Sequence, residues 1–229
     1  MFFNRKRNTT KKNISFVKNN HDLLDELKVK GIINKNILDS IKKIPRELFV
    51  SKESIQLAYE NIALPIDCKQ TISQPYVVAY MIDCLKLKKT DVVLEIGTGT
   101  GYQTAIISYL CQEIYTIEIF SKLFNQAKFN IEKLKIKNVI HKLGNGVSGW
   151  KEKEFFDAII ISAASKEIPL PLLQNLKING KLIYPKKYPL LNNQKLILLK
   201  KKDENNFEEK KLFDVKFVPL LNKKTENYE

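Results

Sequence analysis

The sequence predicts an α/β fold: a mostly parallel sheet covered on both faces, with an antiparallel edge and an N-terminal helical addition. Three observations predict it. From residue 91 onward, short apolar runs alternate with segments of helical period. Runs such as DVVLEIG and FDAIIISAA are continuously apolar, as strands buried on both faces are. Two late strand-like runs flank the polar stretch KDENNFEE, which reads as a hairpin turn.

Taken in order, residues 15–29 carry a helical apolar face of Leu23, Leu24 and Leu27, with Gly31 as the stop. Within 35–44, Ile37, Leu38, Ile41 and Ile44 keep helical spacing, Asn34 can cap, and Pro45 follows. Residues 46–75 read as irregular. Pro75 is pre-shaped for a first helical position, and Val77, Val78, Met81, Ile82 and Leu85 line one face behind it. There follow a strand over 91–97, a helix over 102–111, a strand over 113–119 and a helix over 121–134. In that last helix Leu123, Phe124, Ala127, Ile131 and Leu134 point inward. Strands over 138–144 and 156–164, a short helix over 171–176 and strands over 181–185, 195–201 and 212–220 complete the series. The expected organisation is a flexible basic arm (1–14), one domain (15–220) and a loose tail (221–229). Within the domain, helices over 15–75 precede an α/β core over 76–220.

The chain has 229 residues and 44% hydrophobic content, enough for one large core. No apolar run approaches the roughly 20 residues that span a bilayer. The N-terminal MFFNRKRNTTKKN lacks a secretory apolar region; its basic residues leave an organelle transit segment open as a reading, although Phe2 and Phe3 alone do not make an amphipathic helix. Cys68, Cys84 and Cys111 show no metal-ligand spacing and suit a reducing compartment. A cytoplasmic monomer is the expectation. Net charge is +14, but of 39 basic residues only Arg5, Arg7 and Arg46 are arginine. Lysines spread along the chain read as a solvated surface more than a nucleic-acid interface, for which arginine is the usual choice.

The stretch VLEIGTGTGYQTA (93–105) places Gly97, Gly99 and Gly101 between a strand and a helix. Glycines there allow positive φ and close ligand approach. A dinucleotide turn would read G-x-G-x-x-G; this one reads G-x-G-x-G and is preceded by Glu95. A carboxylate there would repel a pyrophosphate and attract a cationic amino-acid group. Glu118 ends the second strand, where a carboxylate can accept ribose hydroxyls. Either acid alone is an ordinary strand residue. Together with the turn they favour S-adenosyl-L-methionine over a nicotinamide dinucleotide. In QTISQPY (70–76), Thr71 and Ser73 precede the helix at Pro75. That arrangement reads equally as a carboxylate site or as capping without a ligand.

IPRELFV (44–50), AYENIALPI (58–66), QTISQPY (70–76), LEIGTGTGYQTA (94–105), FFDAIIISAA (155–164) and VKFVPL (215–220) together resemble the protein-L-isoaspartate O-methyltransferases over nearly the whole chain. The resemblance implies a Rossmann-like S-adenosylmethionine-dependent methyltransferase fold. It implies methyl transfer to the free α-carboxyl of L-isoaspartyl residues in damaged proteins and peptides. The ester then closes to a succinimide that hydrolyses partly to aspartate. It also implies Ser73 as the active-site residue, with Thr71 and Gln74 beside it on the substrate. The implied cofactor residues are Glu95, Gly97, Thr98, Gly99, Glu118, Asn145 and Gly146. No metal is implied. The family pattern Gly-Asp-Gly stands here as Gly144-Asn145-Gly146, which keeps a carbonyl acceptor and loses a charge. Loop glycines of the family are replaced by Asp67-Cys68-Lys69 and Lys186-Lys187.

The implied chemistry suits these residues. A main-chain-type carboxyl, with a pKa of roughly 3.3–3.7, is already an anionic nucleophile at neutral pH. The site must desolvate and aim it rather than deprotonate it. Two other readings stand beside this one. One is a related S-adenosylmethionine enzyme acting on another carboxylate or protein. The other is a catalytically silent scaffold that binds nucleic acid, which would show steep salt dependence and no methyl transfer.

Overall fold

The computed structural model describes residues 17–153 and 155–222. The expected arm and most of the expected tail lie outside them. Helix α1 (Asn20–Val29) is started by a capping box: the Asn19 side chain accepts from the His21 and Asp22 N–H groups, and Asp22 accepts from Asn19 N–H. The Asn34 side chain caps α2 (Lys35–Lys43) by accepting from Asn36 N–H (3.1 Å). Leu23, Leu24 and Leu27 of α1 and Ile37 and Ile41 of α2 are buried as their spacing requires, with Ile44 just past the end of α2; Leu38 is half-buried.

Residues 46–75 depart from the irregular expectation. They form two 3-10 turns (Arg46–Phe49 and Lys52–Leu57) and a small antiparallel hairpin, β1 (Leu64–Ile66) with β2 (Gln70–Ile72). The hairpin turn puts Cys68 and Lys69 at φ 57° and 53°. Glycine or asparagine normally marks such positions, so the turn carries no sequence signal. Helix α3 (Pro75–Leu85) begins at Pro75 as its sequence requires.

The central sheet contains β3 (Val92–Ile96), β4 (Glu113–Glu118), β5 (Val139–Leu143), β6 (Phe156–Ile161), β7 (Leu176–Tyr188), β8 (Asn193–Lys201) and β9 (Phe207–Asp214). Its order is β5-β4-β3-β6-β7-β8-β9. The first five of these are parallel, and β8 and β9 close the edge antiparallel. Helices α4 (Tyr102–Ser108), α5 (Ser121–Lys133) and α6 (Leu170–Gln174) make the connections. Side chains alternate between two cores. Val93, Ala158, Ile160 and Ile183 join the N-terminal helices, while Leu94, Ile96, Ile159, Ile161 and Leu182 pack on the other face.

Several boundaries shift, including the start of α1, the ends of α4 and β6, and the limits of β7 and β9. Strand β7 starts at Leu176 rather than Lys181. Strand β9 covers 207–214 rather than 212–220, because Asp203 closes a tight turn by accepting from the Asn205 and Asn206 N–H groups. Residues 215–220 are extended but leave the ladder: Leu220 N–H donates to Ala164, and Ala164 N–H donates to Val218. In the expected loose tail, Leu221 lines the main cleft and Asn222 accepts from Asn145. No helix among the described residues is long and apolar enough to cross a membrane.

From β3 the chain passes to β4 and β5 on one side, then crosses to β6 on the other. β3 and β6 stay paired to their carboxyl ends, but the helices that follow them, α4 and α6, pack on opposite faces of the sheet, and such a switch point is where open α/β sheets bind ligands.

Candidate active site

The cleft at this switch point is built from the turn after β3, the end of β4, the loop after β5 and the loop after β6. The β1–β2 hairpin and residues 218–221 close it. Gly97 (φ 91°) and Gly99 (φ 57°) make the turn. Gly97 N–H donates to Ile117 O (2.9 Å), which ties the turn to β4. Gly101 (φ 96°) starts α4 against Ala127 of α5, where a Cβ would stand 3.4 Å from the Ala127 Cβ.

Glu118 secures the turn. One carboxylate oxygen accepts from Gly99 N–H (2.8 Å), and the other accepts from Ile119 (2.9 Å) and Phe120 (3.1 Å). Burial raises its pKa, and these three N–H groups oppose the shift. Thr98 also lines the cleft, its hydroxyl 2.6 Å from that of Thr116. Gly146 lies against Ile96 so closely that a Cβ would meet the Ile96 Cγ2 at 2.4 Å.

Glu95 does not line the cleft, which corrects the expectation of direct ligand contact. It is fully buried behind the turn, because the strand pleat turns it toward α4. Its carboxylate accepts from Gln103 Nε2 (2.9 Å), Thr104 and Thr116 (2.7 Å). Gln103 also donates to Ser162 Oγ (2.8 Å), and both residues line the cleft. Glu95 thus reaches the ligand site through Gln103 and, by way of Thr116, through Thr98. Burial pushes its pKa up to about 7, against the pull of the three hydrogen bonds. A carboxyl raised in this way favours folding while protonated and loses that contribution as pH climbs from the unfolded value toward 7. We therefore expect the wild type to lose about 3 kcal/mol relative to Glu95→Gln between pH 4.5 and 7. Urea unfolding of both proteins across that range measures it; parallel pH profiles would show that Glu95 ionises freely.

Asn145, also expected on the cofactor, is held by protein partners beside the cleft. Its carbonyl accepts from Val147 N–H (3.0 Å), and its amide donates to Asn222 O (2.6 Å) and Asn222 Oδ1 (3.0 Å). It braces the 3-10 turn Gly146–Ser148 and the 218–222 segment, while Gly146 faces the cleft.

Thr71 and Ser73 lie on the wall between this cleft and a second cavity. The second cavity is lined by Gln74, Tyr76, Phe213, Lys216 and Phe217 among others. Gln74 is part of it, but its amide nitrogen donates to Asn61 O (2.7 Å), so its role there is to hold the loop. Sequence reasoning missed Ser162, Gln103 and residues 218–221. Only the position of FDAIIISAA beside the glycine strand could have suggested Ser162 in advance.

In a chain with 39 lysines and arginines, no cationic side chain lines the main cleft, and Glu118 is its only carboxylate among the described residues. This arrangement fits a cationic ligand without phosphate. The buried Tyr102 hydroxyl at the cleft has no partner among the described residues, which leaves a polar atom for a ligand to satisfy.

The family model described as protein-L-isoaspartate(D-aspartate) O-methyltransferase matches residues 18–225. A protein-L-isoaspartate O-methyltransferase of Dictyoglomus turgidum is 48% identical over 86% of this chain and 89% of its own length. One from Flavobacterium psychrophilum is 44% identical over 89% and 94%. Among solved structures, a Plasmodium falciparum candidate for the same activity, in complex with S-adenosyl-L-homocysteine, aligns with a TM-score of 0.77 at 27% identity. It covers 90% of this chain and 99% of that one.

Proposed function

The chain belongs to the protein-L-isoaspartate(D-aspartate) O-methyltransferase family, and on that premise we propose what each residue of its site does. The protein transfers a methyl group from S-adenosyl-L-methionine to the free carboxyl of L-isoaspartyl residues in proteins and peptides. The alternative of a different carboxylate or protein substrate is not favoured.

Glu118 would receive the ribose hydroxyls, with Gly97, Thr98 and Gly99 as the backbone floor and Gly146 giving room for the base. When bound, S-adenosyl-L-methionine supplies an electrophilic methyl on a cationic sulfur. The substrate carboxylate enters through the second cavity. Asp214 there is held by Lys195 (2.5 Å), so Lys216 gives the cavity its attractive charge. Ser73 and Thr71, on the shared wall, aim the carboxylate through their hydroxyls. An anionic nucleophile needs no general base, so orientation and exclusion of water supply the catalysis. The observation that carries this reading is the position of Ser73 and Thr71 on the wall common to both cavities. We further propose a monomer working in the cytoplasm; the three cysteines have no metal-ligand spacing, which suits a reducing compartment.

The test is mass-spectrometric methyl transfer to a matched pair of peptides, one isoaspartyl and one aspartyl. One methyl is expected on the isoaspartyl peptide alone. Transfer to both, or to neither despite cofactor binding, would overturn the substrate reading.

A further inference from the structure

The motif PRELFV has no part in the cofactor floor, yet its arginine is fully buried. Arg46 Nη1 donates to Ala58 O (2.7 Å) and Glu60 O (3.2 Å), and Nη2 donates to Ile62 O (3.0 Å) and Ser73 O (3.1 Å). The guanidinium lies over the Tyr102 ring, 5.5 Å from its centroid. Its partners are four carbonyls and an aromatic face rather than a carboxylate. A buried cation is costly unless each partner is well placed, so the planar fork dictates where those oxygens sit.

The four oxygens come from two places, the 58–62 segment and the Ser73 peptide. The same short turn reaches the cofactor side: Thr100 Oγ1 donates to Phe49 O (2.7 Å), and Phe49 packs edge-on against Tyr102. Asn61 extends the clamp by accepting from Tyr76 N–H (2.9 Å) and, through its carbonyl, from Gln74. One side chain therefore spans the loop that carries the acceptor hydroxyl and the helix that follows the glycine turn.

We propose that Arg46 is a positioning residue for methyl transfer, fixing Ser73 against the cofactor turn through the Ser73 carbonyl. The proposal rests on the reading of Ser73 as the residue that aims the acceptor. Lysine keeps the charge but presents a single ammonium, which cannot reach all four oxygens.

The experiment measures kcat, isoaspartyl-peptide KM and S-adenosyl-L-homocysteine Kd for Arg46→Lys, Arg46→Gln, Ser73→Ala and the double variant R46K/S73A. For Arg46→Lys, kcat should fall about 10- to 100-fold, the loss a displacement near 1 Å brings, with Kd within about threefold of wild type. Arg46→Gln should lose more. The double variant should be close to Ser73→Ala alone, because a residue acting through Ser73 has nothing further to lose. Losses that multiply in the double variant would overturn the proposal. So would a Kd that rises in step with the fall in kcat, or Arg46 variants that neither fold nor bind, since these mark a structural residue only. A wild-type rate for Ser73→Ala would instead overturn the reading of Ser73 itself.

Discussion

Glu118→Ala is expected to weaken S-adenosyl-L-homocysteine binding by about 10²-fold or more, and to lower stability by about 3 kcal/mol. The side chain accepts from three backbone N–H groups, of Gly99, Ile119 and Phe120, and is 4% exposed. Alanine leaves all three donors without a partner where little water reaches. Each orphaned donor costs about 1–3 kcal/mol. Gly99 then loses the anchor that holds the turn against the end of β4. Glu118→Gln should be nearly as damaging, because its amide NH2 must face backbone donors on one side. Calorimetric titration gives the affinity and urea unfolding the stability. If Gln binds like the wild type, the carboxylate is not what holds the turn.

Gly146→Ala is expected to weaken cofactor binding at least about tenfold and to cost about 1–3 kcal/mol of stability. The new Cβ would stand 2.4 Å from the Ile96 Cγ2. Ile96 cannot yield. It is 2% exposed, ends β3 and packs in the second core. The loop after β5 must move instead, and with it one wall of the cleft. Gly144→Ala, two residues earlier, is the control, since nothing lies within 4 Å of the added carbon. Thermal melting with and without S-adenosyl-L-homocysteine separates the two effects. Equal behaviour of the two variants would show that the loop after β5 relaxes freely.

The parallel core was legible because its strands are buried on both faces and so read as continuous apolar runs. Glycines between a strand and a helix, with an acid ending the next strand, marked a turn that lines the main cleft. Other features left no mark. The β1–β2 hairpin turns through Cys68 and Lys69 without a glycine, and its surroundings are organised by Arg46, whose partners are backbone carbonyls common to every residue. Such contacts have no residue-type signature.

What the sequence by itself determined is the order of elements, the glycine turn and the chemistry class. Local periodicity and a short motif suffice for these. What only the tertiary structure decided is which polar groups face the cleft. Glu95 and Glu118 look alike in sequence, but the pleat sends one behind the turn to Gln103 and Thr104 and the other to the backbone donors of the cleft. Asn145 is turned by Asn222, 77 residues further along the chain. Residues 218–221 reach the cleft because Ala164, not a neighbouring strand, receives them. Side-chain direction is set by partners distant in sequence, and a one-dimensional pattern holds no record of them.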